Sequence, residues 1–166
     1  MPHRPLATLL AAAALTLGGC AAYVNIPPQA GDFARHNIDA ESIRAVTVPA
    51  VRAVVDQRPP AGVYVVKLPE SAQKLTYPAV LPQIGENAQP PFAEDLPEDA
   101  PVYEVTGIRV RGASAEVDVV RPGPLGGRQL VTVHMDDPPF APWTVERIRV
   151  WRGPVDAAPP APPQSP

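Results

Sequence analysis

The chain has 166 residues, with 14 lysines and arginines against 17 aspartates and glutamates and a formal net charge of −3. That balance opposes nucleic-acid binding, which draws on a basic stripe, and a single cysteine excludes an internal disulfide. Proline supplies 25 residues and gathers between apolar runs, which marks stiff connections rather than global disorder.

Residues 1–20 divide into three parts. A short basic start holds His3 and Arg4, residues 6–17 are apolar except Thr8 and Thr16, and Gly18 and Gly19 follow. This is the layout of a secretory signal, and the apolar run falls short of the about 20 residues a bilayer requires. Leu17-Gly18-Gly19-Cys20 closes it. That motif resembles the bacterial lipobox, a leucine and two small residues ahead of an obligatory cysteine. The resemblance covers residues 1–20 and implies a diacylglyceryl thioether on Cys20 Sγ, with cleavage between Gly19 and Cys20. A thiolate is the nucleophile such a reaction needs, and acylation by more than one chain is what makes a lipid anchor stable. Ala21 follows in place of an aspartate, which in a diderm source resembles delivery to the outer membrane, facing the periplasm. Cleavage leaves 13 basic and 17 acidic residues, a net charge of −4.

The remaining chain reads as a tether over 20–36, one α+β domain over 37–152, and a disordered proline-rich tail over 153–166. Pro27-Pro28 favours an extended polyproline-II path that holds the domain off the bilayer. Asp39 is placed to N-cap a helix with Ile43, Val46, Ala50 and Val54 at helical spacing. Pro49 lies inside that pattern, so a kink or a second helix beginning at Pro49 is expected. Residues 62–68 read as a short strand ended by Pro69, and 77–84 as a helix interrupted by Pro78 and Pro82. Residues 87–101 form an acidic connector with Glu94, Asp95, Glu98 and Asp99, a solvated loop by composition.

Residues 101–152 carry the strongest pattern. With Gly112-Ala113 at a two-residue hairpin tip, Val110 faces Ala115 and Ile108 faces Val117, while Arg109 falls opposite Glu116 on the other face. Upstream the alternation changes phase, from Tyr103 and Val105 to Ile108 and Val110, so a bulge is expected at Thr106-Gly107. Val131, Val133 and Met135 mark a third strand. The fourth runs from 143 to 152 with a second phase change near Glu146-Arg147. The expected fold is therefore α+β: N-terminal helices packed on a curved four-stranded antiparallel sheet, similar in element order to cystatin-like or nuclear-transport-factor-2-like layouts.

No P-loop, dinucleotide-binding glycine run or zinc-protease motif is present, and no cofactor or metal site is expected. His134 and Asp136 share a strand face near Glu116 and Asp118, which leaves a metal-dependent or hydrolytic enzyme as the least favoured reading against a solvated sheet face. Trp143 and Trp151 suggest a sugar- or peptide-binding platform, with Trp151 set among Arg147, Arg149 and Arg152. Arg109, Arg111, Arg147, Arg149 and Arg152 share the outer face and form a basic patch that Glu116 and Asp118 partly neutralise. The leading expectation is a lipid-anchored, non-catalytic binding or assembly module of the cell envelope, meeting an envelope protein or an anionic polymer. A small-ligand domain using the concave sheet face is the alternative.

Overall fold

A computed structural model describes residues 23–28, 40–139 and 141–155. Cys20, Gly19 and the signal segment lie outside the described residues, as do Asp39 and the tail from 156. In chain order the elements are β1 (Tyr23–Ile26), α1 (Glu41–Gln57), β2 (Tyr64–Lys67), α2 (Thr76–Ile84), β3 (Ala88–Gln89), β4 (Val102–Arg111), β5 (Ser114–Pro122), a 3-10 turn (Pro124–Gly126), β6 (Arg128–Asp136) and β7 (Thr144–Pro154).

The sheet corrects the four-stranded antiparallel expectation. It has seven strands and is mixed, in the order β3-β2-β4-β5-β6-β7 with β1 also on β4. β2 runs parallel to both β3 and β4, with Val65 opposite Val102, while β1 pairs antiparallel with β4, Ile26 opposite Ile108. The reason lies in β4 itself. Its ten residues present a long edge on the side away from β5, and β2 and β1 cover that edge end to end. The helices are not all N-terminal to the sheet either, because α2 lies between β2 and β3. The tether reading is corrected at residues 23–26, which are sheet, and the strand ends at a cis Ile26–Pro27 bond.

The β4–β5 hairpin pairs Arg111 with Ser114, Val110 with Ala115, Arg109 with Glu116 and Ile108 with Val117. Gly112 turns it with φ 62°, a left-handed conformation that side-chain-bearing residues enter at a cost. The ladder shifts between Val105 and Gly107 and again between His134 and Met135, where Glu146 of β7 is the extra residue. Each insertion restores the apolar phase to one face.

That face receives α1, whose buried residues Ile43, Val46, Ala50, Val51, Val54 and Val55 repeat at helical spacing. They meet Val105, Ile108, Val117, Val119, Val131 and Val133, all effectively shut off from solvent, in one core that α2 also joins. Each such side chain contributes about 2 kcal/mol through removal from water. Pro49 sits within a single continuous α1 rather than starting a second helix. The carbonyl that loses its partner belongs to Ala45, which is exposed and open to water. Among the described residues no helix is long and apolar enough to cross a membrane.

Candidate functional site

The face of the sheet turned away from the helices carries a continuous polar chain. Strand alternation puts Arg109, Glu116, Asp118, Thr132, His134, Arg147, Arg149 and Trp151 there. Trp151 Nε1 donates to Thr132 Oγ1 at 2.9 Å, and the Thr132 hydroxyl donates in turn to Asp118 Oδ1 at 2.6 Å. Arg109 Nη1 donates to the other Asp118 oxygen at 2.7 Å, and its Nε donates to Glu116 Oε2 at 3.0 Å. Glu116 Oε1 then lies 3.4 Å from His134 Nδ1. One guanidinium thus serves two carboxylates on a neighbouring strand. The hydrogen bond to Asp118 leads in raising the Arg109 pKa above its ordinary value, against the pull of burial. Gly107 at the bulge makes room for this pair, since a Cβ there would lie 3.1 Å from Asp118 Oδ2 and 3.3 Å from Arg109 Nη1.

Below the bulge a second cluster closes on Glu104. Lys67 Nζ donates to Oε1 at 2.7 Å, and Arg128 donates to Oε2. Burial works to raise the Glu104 pKa, yet the hydrogen bonds and charges of Lys67 and Arg128 together outweigh it and hold the carboxyl below its ordinary value. The same Glu104 hydrogen bond raises Lys67. Arg121 is handled differently. It is 4% exposed, and its Nη1 donates to Gln57 Oε1 at 2.6 Å and its Nη2 to Gln129 Oε1 at 3.4 Å. With amide oxygens in place of a carboxylate, burial and the nearby Arg58 lower its pKa. Nothing in the sequence pattern singles out this buried cation at the end of an apolar run.

β7 breaks the rule of matched charge. It is the last strand of the sheet, and beyond it no strand is paired among the described residues. Arg147, Arg149 and Arg152 lie along it, and among the described residues none of them forms an ion pair. Arg149 instead stacks 3.7 Å above the Trp151 ring. Val145, Val150 and Trp151 on this strand remain 36–40% exposed.

The expected site residues therefore separate. Arg109, Arg149 and Trp151 stand on one polar face, and Arg111 stands at its end, stacked over Tyr23 at 5.9 Å. Trp143 is not with them. It packs against the helix-side core and lines a cleft of about 600 Å³ with Glu41, Arg44, Val48 and Ala79. The paired tryptophan platform is corrected: Trp143 and Trp151 are an even number of residues apart, but the extra residue at Glu146 turns them to opposite faces. The role of Thr132 as a relay between Asp118 and Trp151 was not legible from the pattern.

The helix-covered face is filled by its own side chains, and a second open space, slightly smaller than the Trp143 cleft, lies at the split edge of β4. There a cleft of about 550 Å³ is lined by Ile26, Pro27, Leu68, Pro69 and Val105, with Lys67 and Glu104 at its polar end. His134 Nε2 is buried with no hydrogen-bond partner among the described residues. Among the described residues no group of three or more His, Cys, Asp or Glu side chains is placed to hold a metal ion. No known protein family, curated protein or solved structure matches this chain.

Proposed function

We propose that this chain is a lipid-anchored cell-envelope protein acting as a non-catalytic binding or assembly module, and that it meets its partner through the β7 end of the polar face. The Leu17-Gly18-Gly19-Cys20 resemblance supports the anchor, with the outer membrane facing the periplasm as its place in a diderm. The partner is an envelope protein or an anionic polymer. One observation carries the binding reading. In an acidic chain, Lys67, Arg109 and Arg128 on the sheet are neutralised by carboxylates, whereas among the described residues Arg111 and the three arginines of β7, the last strand of the sheet order, stand without one. Charge left unmatched at a surface attracts and orients an oppositely charged partner.

Cross-linking in intact membranes tests this. The native protein is expected to give a reproducible cross-linked species that Arg147→Glu/Arg149→Glu removes and a control Arg44→Glu on the helix side leaves in place. An identical cross-linking pattern for all three proteins would refute the binding surface. In the same preparations Cys20→Ser is expected to move to the soluble fraction, and its retention in the membrane would refute the anchor.

A further inference from the structure

Resting on the binding-module reading above, we infer that β7 takes on an eighth strand: an extended segment of another protein, with acidic residues at alternate positions. β7 is eleven residues long, and in an antiparallel edge strand every second residue turns its N–H and C=O outward, away from the sheet. The other described strands paired on one side only, β3 and β1, have two and four residues. β7 is therefore the one long outer strand in the described sheet order, and main-chain groups of this kind are what strand addition uses.

The sheet itself shows what chemistry the missing neighbour has. Arg109 on β4 is satisfied by a strand that places Glu116 and Asp118 two residues apart on one face and Ala115, Val117 and Val119 on the other. β7 repeats the demand without the answer. Arg147 and Arg149 stand two residues apart on the polar face, while Val145 and Val150 stay half-exposed on the helix side. A strand laid along β7 with glutamate or aspartate at alternate positions and apolar residues between them meets both faces at once. Strand edges protected against chance association carry charge and bulges, and β7 has both. It also shows Trp151 and two valines to solvent, which protection alone does not require.

Two other occupants fit less well. A second copy pairing β7 with β7 would bring the arginines of one strand beside those of the other, and like charges across a ladder repel. The chain's own residues 156–166 hold five prolines and a single acid, so they supply neither the hydrogen-bond donors nor the charge.

The test uses the full-length acylated protein in detergent micelles and a blocked peptide of about ten residues alternating glutamate with valine and threonine. Backbone amide shifts and slowed amide exchange are expected to concentrate on β7. Arg147→Glu/Arg149→Glu is expected to weaken the complex by about tenfold or more, and a peptide with lysine for glutamate is expected to bind that variant better than the parent. A peptide of the same charge, N-methylated at alternate amides, is expected not to bind. Equal binding of the N-methylated peptide would overturn the strand and leave a simple anion patch. Perturbation away from β7, no binding at all, or equal competition by phosphatidylglycerol vesicles would overturn it too, as would concentration-dependent self-association protecting β7. If the peptide fails while the membrane cross-link of the preceding section persists, the added strand is wrong and the binding module stands. Loss of both removes both.

Discussion

Arg109 on β4 and Arg149 on β7 stand on the same face of one sheet, yet their surroundings have little in common. Arg109 reaches two carboxylates on β5 and is two-thirds covered, whereas Arg149 rests on an indole ring and meets no acid among the described residues. The contrast extends to the helix side. Ile108 is sealed beneath α1, while Val150, on the same face of β7, is 40% exposed. The centre of the sheet is thus closely packed and charge-matched, whereas its β7 margin carries half-exposed apolar side chains and arginines without carboxylate partners among the described residues.

This difference is open to measurement, and the largest effect belongs to the core. Ile108→Ala is expected to destabilise the fold by about 3 kcal/mol in denaturant unfolding, from lost burial and the cavity left behind. Val150→Ala is expected to cost less than about 0.5 kcal/mol, and a cost approaching that of Ile108→Ala would show that β7 is already covered. Next comes the ion cluster. Arg109→Ala leaves Glu116 and Asp118 side by side without a cation, an expected loss of about 2 kcal/mol. A cycle with Asp118→Ala should return part of that loss as coupling. Arg149→Ala is expected to change stability by less than about 0.5 kcal/mol.

An effect smaller than that of the Arg109 cluster is expected in the pH profile. Glu104 is held below its ordinary value of 4.5, so its contribution is complete above 4.5 and is lost as pH falls through the lower folded-state value. Lys67 is held above 10.5, so its share is present below 10.5 and is lost as pH rises through the higher folded-state value. Glu104→Gln is therefore expected to flatten the acid limb of stability by at most about 1 kcal/mol, because its partners are partly exposed. An unchanged acid limb would mean that Glu104 does not hold the Lys67 and Arg128 charges together.

Particular residues explain what was legible beforehand. The β4–β5 register followed from demands on both faces, Val110 with Ala115 and Arg109 with Glu116, and a one-residue slip would have broken both. The bulge at Gly107 showed as a phase change. What escaped is non-local. β1 and β3 have four and two residues, too few for alternation to register, and the parallel pairing of β2 with β4 depends on residues 37 apart in sequence, Val65 and Val102. The expectation of four antiparallel strands failed there, because local pattern describes strands and not what covers a long edge. The register places Arg109, Arg147 and Arg149 on the polar face, with Trp151 beside Thr132 and Arg111 at its end. Its matched and unmatched halves needed the register.

The early position of β1 bears on the proposed anchor. Tyr23, Arg111, Ser114, Asp136 and Thr144 are linked partner to partner in one row across the sheet, and Tyr23 comes three residues after Cys20. On the proposed acylation of Cys20, a leash of about 10 Å at full stretch would keep this row close to the lipid headgroups. Trp151 lies about 20 Å along β7 from that row. On the proposed anchoring, the margin at Tyr23 is the part of the described sheet closest in sequence to the lipid, and Trp151 lies farther along β7 from it.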